Sequence, residues 1–557
     1  MKNLRLGEIL MEAGTIDRQQ LEAALAYQQS HRDLPIGQAL VALGFATQAQ
    51  VTGALARRLG LAVVDPDRLI AQARALETVP RSLAARYSLL PLRRRGDRLT
   101  VATSDPLNYE ALEELHQRTG LELDLLLAEP EPLRRAIQYY YSDMDARRTA
   151  RDAGSRLPGP AAPGPHDAAR EEAGGPAVQL LNDLLQRAVA AGASDIHIEP
   201  YEAVTRVRMR LDGAMTDHMP LPPALHQPLI ARIKVLAGLD IAERRLPQDG
   251  HFRARAGAGG EVNLRVSVMP TLYGEKAVLR LLDGGADIDH ADHFGMNDRV
   301  YRRFLPLLDR PHGILYLTGP TGSGKTTTLY LVLEALRRRA VNIVTIEDPV
   351  ERSIEGISQT QVNPAAGLTF ERGLRALLRQ DPDVIMVGET RDAETAEIAV
   401  RAAITGHLVF STLHTNDAAG SVVRLIDMGV APYLVAGSVT GLLAQRLVRK
   451  VCPRCGRPVP VTPAEAALLG PGVPTVCRGA GCPHCHRTGY RGRIAVHELL
   501  VPDQTLRRMI VQGATAEELT ACARRTQGMR TLLEEGRDLV AQGLTTPEEL
   551  LKLACEG

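Results

Sequence analysis

Gly319-Pro320-Thr321-Gly322-Ser323-Gly324-Lys325-Thr326 follows an apolar run, Gly313-Ile314-Leu315-Tyr316-Leu317-Thr318, and precedes an apolar helix that begins at Thr327. Strand, glycine-rich loop, then helix is the order that phosphate binding needs. Glycines let backbone amides curl around phosphate oxygens, and the helix N-terminus adds a positive dipole. In this pattern Lys325 is expected to reach the β- and γ-phosphates and the Thr326 hydroxyl to ligate Mg²⁺, with Thr327 beside it. A glycine-rich turn met by chance would lack the flanking strand and helix.

Three further strands bring acids and histidines toward the same edge. Val384-Ile385-Met386-Val387 ends at Gly388-Glu389. An apolar parallel strand ending in a carboxylate sets that carboxylate beside the phosphates, so Glu389 is the candidate for polarising the attacking water. Asn342-Ile343-Val344-Thr345-Ile346 ends at Glu347-Asp348-Pro349 and makes Glu347 a second candidate acid. Leu408-Val409-Phe410-Ser411-Thr412-Leu413 is flanked by His407 and His414. A lone histidine is more often structural; two at the ends of a strand beside a nucleotide are candidates for sensing the phosphate state.

Cys452-Pro453-Arg454-Cys455 and Cys482-Pro483-His484-Cys485 form two knuckles separated by 26 residues. Four thiolates so spaced suit tetrahedral Zn²⁺, whereas a redox pair explains one CxxC poorly and two not at all. Cys477, His484 and His486 are possible replacements for one ligand, and Cys522 and Cys555 read as packing residues. An odd total of 7 cysteines with this pairing favours a metal site in a reducing compartment over a disulfide framework.

These groups have to be positioned by several domains, because single cores stop growing near ~250–300 residues and the chain has 557. Its formal net charge is +1, its aromatic content 3%, and it has no Trp. That balance argues against a nucleic-acid partner, which calls for basic fields or stacking platforms. No apolar run reaches the ~18 residues of a membrane span. The opening Met1-Lys2-Asn3-Leu4-Arg5 leads into a charged amphipathic helix rather than a secretory signal. The expected location is cytoplasmic.

Residues 146–176 are dominated by Pro, Gly, Ala and charge and read as a flexible linker. Before it, 1–145 begins with a repeat over 1–60. Leu6-Gly7, Leu10 and Gly14 recur as Ile36-Gly37, Leu40 and Gly44, and Leu21 and Leu25 as Val51 and Leu55, at an offset of thirty. Each copy reads as a short helix, a glycine turn and a second helix, and residues 61–145 as a small α/β part. Such a hairpin pair could serve only to pack on itself. After the linker, 177–294 reads as an α+β domain, with a helix from Val178 and strands near 194–199, 205–211, 262–268 and 277–282. Strands and helices alternate over 295–557, which predicts a parallel sheet with crossovers, interrupted by the cysteine element at 450–490.

The third domain resembles the secretion ATPase superfamily: the GspE/PulE type II secretion ATPases, close to the PilB-type pilus assembly ATPases. Four signatures carry the resemblance in order: Walker A at 319–326, an Asp box at 345–351, Walker B at 379–389 and a His box at 406–416. One departure is Thr390, where relatives usually carry an apolar residue. The resemblance implies a RecA-like ATPase domain preceded by a PAS-like domain, with Ala193–Pro200 and 208–213 as strand signatures of the latter. The stretch 239–250 also looks like a family segment and is given no catalytic role. The resemblance further implies a homohexamer using ATP and Mg²⁺, in which arginines of the second domain complete a neighbour's site; Arg208 and Arg210 are the candidates. Partners implied are inner-membrane platform proteins, GspL- and GspF-like or PilC-like, with no nucleic acid.

A tetracysteine element resembles that of relatives that extend a pilus or pseudopilus. The segment Leu442-Leu443-Ala444-Gln445-Arg446-Leu447-Val448-Arg449 tilts the reading toward secretion. The N-terminal repeat resembles an MshEN-like motif that binds cyclic di-GMP in some relatives. Arg5, Leu6, Gly7, Leu10, Gly14, Gln28, Gly37, Leu40 and Gly44 match it, while Pro35 and Arg58 depart from it in the second copy.

Overall fold

The thirty-residue repeat becomes four short helices, Leu6–Glu12, Arg18–Ser30, Ile36–Ala42 and Gln48–Leu59. The structure is a computed structural model that describes residues 6–31, 34–65, 71–141, 144, 175–255, 261–282 and 292–555. Each longer helix starts with the same capping box, Asp17 with Gln20 and Thr47 with Gln50, so the repeat extends to the caps. The first helix packs on the fourth and the second on the third, around fully buried Leu10 and Leu40. A Cβ on Gly7 would lie 2.6 Å from Leu21 Cδ1, and one on Gly37 2.7 Å from Val51 Cγ1. The paired glycines are therefore required by helix contact.

Strands β1 (Leu89–Arg95), β2 (Arg98–Thr103) and β3 (Glu122–Leu127) follow as a mixed sheet. Of the segment read as a linker, 146–174 lies outside the described residues. Pro176 opens the helix Pro176–Ala191, where a proline at N1 loses no intrahelical bond.

The next domain is a fully antiparallel sheet of β4 (Ala193–Pro200), β5 (Thr205–Leu211), β6 (Ala214–Leu221), β7 (Gln248–Arg255), β8 (Glu261–Thr271) and β9 (Gly274–Leu281), ordered β6-β5-β4-β9-β8-β7. Alternation decides its faces. Ile196 and Ile198 enter the core with the helices Pro176–Ala191 and His226–Ala237, while Asp195, His197 and Glu199 line up on the other face.

The ATPase-side sheet contains β10 (Gly313–Thr318), β11 (Ile343–Glu347), β12 (Ser358–Gln361), β13 (Val384–Val387), β14 (Leu408–Leu413), β15 (Val439–Val451) and β18 (Tyr490–Leu500), ordered β12-β11-β13-β14-β10-β15-β18. All neighbours are parallel except β15 and β18. β10 and β14 are buried along their whole length, as central strands covered on both faces must be. β16 (Gly456–Pro460) and β17 (Thr475–Gly479) form a small hairpin beside the cysteines, between β15 and β18.

Candidate active site

Because β10, β11, β13 and β14 run parallel, their C-terminal ends share one edge, and the glycine-rich loop leaves that edge from β10. The loop delivers its chain into the helix Lys325–Leu336 through Gly324, which has φ +86° and offers no side-chain cap. The first amides of the helix are thus left for a ligand. The Ser323 hydroxyl is buried without a hydrogen-bond partner, a further donor for an anion. Thr326 and Thr327 are exposed at the helix start.

Lys325 Nζ is folded back onto the loop, donating to Gly319 O at 2.6 Å and Pro320 O at 3.1 Å. Burial, reinforced by the nearby Arg446 charge and opposed by Glu389, pushes its pKa down to about 8. The sign of the consequence is fixed. Below pH 8 the free loop already holds a cation for phosphate; above it, binding requires proton uptake. KM for ATP is therefore expected to rise as pH passes from 8 to 9, approaching tenfold per unit, and the KM–pH profile measures it.

Glu389 stands two residues beyond β13, after Gly388, its side chain 13% exposed. Arg391 Nε lies 2.6 Å from its Oε2, and His414 Nε2 lies 3.6 Å from the same oxygen. His414 is held below its usual pKa, mainly by burial and then by Lys325, so at neutral pH it is an uncharged ring beside the carboxylate. His407 is a correction. It sits at the start of β14, level with Gly313 at the start of β10, its Nδ1 bonded to Ala402 O. In a parallel sheet that is the edge opposite the phosphate loop, so His407 takes no part in the site.

Glu347 is buried and its carboxylate accepts from Tyr330 OH at 2.5 Å, Thr345 Oγ1 at 2.6 Å and Gln359 Nε2 at 3.1 Å. Tyr330 belongs to the loop's helix, so Glu347 ties that helix to β11. A buried carboxylate held by three donors acts as a brace between the two elements. Glu351, in the same box, has its carboxyl raised by loss of water and opposed by the charges of Arg280 and then Arg265. Those two arginines, on strands far away in sequence, escaped the sequence reading.

Thr390 is explained by its surroundings. Its Oγ1 lies 2.8 Å from Ser411 Oγ, its amide donates to Thr412 O at 3.0 Å, and the buried Tyr316 hydroxyl lies against it. A hydroxyl fits here because two neighbours are also hydroxyls. Thr390→Val should destabilise the domain by about 1–3 kcal/mol, by stranding buried polar groups. Denaturant unfolding measures it, and an unchanged midpoint would refute the network.

Residues 170–552 match the family described as Type II/IV secretion system protein. The chain belongs to this family. It is an ATPase of α/β fold. It is 41% identical over 558 residues to the type IV pilus assembly ATPase PilB of Myxococcus xanthus, covering 98% of both chains. Against type II secretion system protein E of Pseudomonas aeruginosa it is 45% identical, over 86% of this chain and 96% of that one. Against the type II secretion system ATPase E of Vibrio cholerae it is 42% identical, over 87% and 98%. The X-ray structure of the Legionella pneumophila ATPase DotB shares the fold, with a TM-score of 0.50 at 22% identity over 68% of this chain and 96% of that one. Residues 59–147 match the MshEN domain.

In this secretion-family ATPase the second domain offers a charged sheet face. Arg208 pairs with Glu199 at 2.8 Å, Lys276 with Glu199 at 2.8 Å, Arg210 with Asp195 at 3.4 Å and Arg280 with Asp195 at 2.8 Å. Burial alone would raise Glu199; Arg208 and Lys276 instead hold it down to about 2. Arg208 and Arg210 are therefore already partnered within their own chain.

The four cysteines of the knuckles converge. Sγ separations are 3.8 Å for Cys452–Cys482, 3.8 Å for Cys455–Cys485 and 3.7 Å for Cys482–Cys485. Four sulfurs about 2.3 Å from one tetrahedral ion lie about 3.8 Å apart, whereas a disulfide needs about 2.05 Å. Amides of Cys482 and Gly489 approach Cys485 Sγ at 3.1 and 3.3 Å, as a metal-bound thiolate requires. Cys477 is near but separate, across from Pro458 in the β16–β17 hairpin, and Cys522 is buried in the helical core.

Of the N-terminal motif, Leu6, Gly7, Leu10, Gly37 and Leu40 are buried in the helical core, and Gly14 and Gly44 make the turns with φ +66° and +71°. Gln28 Nε2 donates to Leu34 O at 3.0 Å and links the two copies. Arg5 lies outside the described residues.

Sequence reasoning also missed Gln445 and Arg446. Both are buried on β15 beneath the phosphate loop. The available signal was two long polar side chains directly after the apolar run Leu442-Leu443-Ala444 and before Leu447-Val448.

Proposed function

We propose that this chain is the cytoplasmic, hexameric motor of a type II secretion system, working against an inner-membrane platform. What supports it is near-complete coverage of the secretion ATPases at 42–45% identity. No helix among the described residues is long and apolar enough to cross a membrane, so contact with the bilayer would run through partners of the GspL and GspF kind.

In this reading the loop amides and Ser323 receive the triphosphate, and Lys325 leaves the Gly319 and Pro320 carbonyls to follow it. Glu389 orients the attacking water and accepts its proton, once Arg391 has swung clear. His414 stays neutral beside that carboxylate and reports phosphate loss to β14. Mg²⁺, held by Thr326, would neutralise phosphate charge. Arg208 and Arg210 would serve a neighbouring subunit after release from Glu199 and Asp195. Cys452, Cys455, Cys482 and Cys485 would hold Zn²⁺, whose role is to fix the two strands they join. Cyclic di-GMP at the N-terminal repeat is supported by the motif and the adjoining MshEN match; the buried glycines already have a packing role, so Arg5 would carry its recognition.

A second reading, pilus assembly, is favoured by the end-to-end match to PilB. Exchanging the native gene for a Glu389→Gln copy separates the two. Loss of exported folded enzymes with surface pili intact supports secretion. Loss of pili with secretion intact transfers the assignment to the second reading.

A further inference from the structure

β15 leaves the core through fully buried Leu442, Leu443 and Ala444 and then presents Gln445, 2% exposed. A buried amide is costly unless each of its groups is bonded. Here each is. Gln445 Nε2 donates to Ser323 O at 2.9 Å. Its Oε1 accepts from Thr328 Oγ1 at 2.9 Å and lies 3.3 Å from His497 Nε2. An amide oxygen only accepts, so the His497 proton sits on Nε2.

The first two contacts straddle Lys325. Ser323 precedes it in the loop and Thr328 follows it in the first turn of the helix. The main chains also pass close together, since a Cβ on Gly319 would lie 2.5 Å from Gln445 O. A Cβ on Gly324 would lie 2.9 Å from Gln445 Nε2, so that glycine is what admits the amide. One residue thus packs against the loop's entrance and bonds it on both sides of its lysine.

His497 faces Gln445 directly in the antiparallel β15–β18 pair. Both strands close at the cysteine cluster: β15 ends at Val451, next to Cys452, and the Cys452 amide bonds Gly489 O at 3.0 Å just before β18. Seven residues at about 3.3 Å each separate Gln445 from Cys452, roughly 23 Å. A one-residue slip of this pair would turn Gln445 to the other face.

We propose that Gln445 is a positioning residue for the phosphate loop, and that His497 braces it, tying the loop to the cysteine-bearing strand pair. This holds whichever envelope machine the motor drives.

The test uses full-length protein, a fluorescent ATP analogue, steady-state kinetics and amide exchange over 321–328. Gln445→Met keeps the volume and deletes the bonds. It should weaken nucleotide binding about tenfold, raise KM with kcat within twofold, and speed exchange in the loop. Thr328→Val, a milder change should the first not fold, should weaken binding about threefold. His497→Phe should do the same, and His497→Gln, which restores a donor, should return within twofold of the original. Wild-type affinity and exchange in Gln445→Met, or in Thr328→Val if only that folds, would reduce Gln445 to core filling. His497→Gln behaving no better than His497→Phe would overturn the brace.

Discussion

Glu389→Gln should leave ATP bound and cut turnover by about 10²–10⁴-fold, the usual contribution of a positioned general base. The substitution is nearly isosteric, and the backbone on either side is fixed without the side chain: Gly388 N bonds Ile346 O at 2.8 Å and Thr390 N bonds Thr412 O at 3.0 Å. What is lost is a proton acceptor and one partner of Arg391. Since Arg391 is 65% exposed, losing that pair changes stability little. Lys325→Ala should differ in kind, losing the nucleotide itself. Phosphate release at saturating ATP, read beside nucleotide retention, separates the two. Turnover by Glu389→Gln within tenfold of the native protein would remove Glu389 from the base role.

Features complete within a short stretch of chain are legible in it, and those assembled from distant strands are not. The loop, Glu389 and the cysteine knuckles are local patterns, each complete within a dozen residues, and the parallel direction of the strands around them follows from alternation of strand and helix. His407 illustrates a failure of direction. It flanks the right strand, but parallel strands begin together on the far edge, and only His414 reaches the phosphate side. Glu347 ends its strand and Glu389 follows the end of its own, yet Tyr330 and Thr345 turn Glu347 inward; an acid at a strand end reveals its position and not its partners. Gln445 and Arg446 lie over a hundred residues from the loop they touch, because β15 is inserted beside β10 from a distant part of the chain. Gly7 and Gly37 matched a ligand motif, and their neighbours Leu21 and Val51 show a packing demand that the motif alone does not contain.

Cys482→Ser should abolish metal binding and lower the melting temperature of the ATPase-side domain by well over five degrees. Elemental analysis should find one zinc per native chain and none in the variant. The size of the effect follows from the architecture. The cluster is buried, with Cys452, Cys455, Cys482 and Cys485 each at most 2% exposed, and it is a core of its own between β15 and the start of β18. Structural zinc in isolated fingers contributes on the order of 10 kcal/mol to folding. Here the flanking strands are also held by the main sheet, so a loss of several kcal/mol is the appropriate scale. Serine keeps the shape and removes a thiolate, leaving three ligands around a site built for four. If the loop is tied to the cysteine-bearing strand pair as proposed, amide exchange over 321–328 should rise in the same variant although no loop residue has changed. A native chain that purifies without zinc and melts identically with Cys482→Ser would show that the four thiols pack as hydrophobes, and that the loop's brace ends at His497.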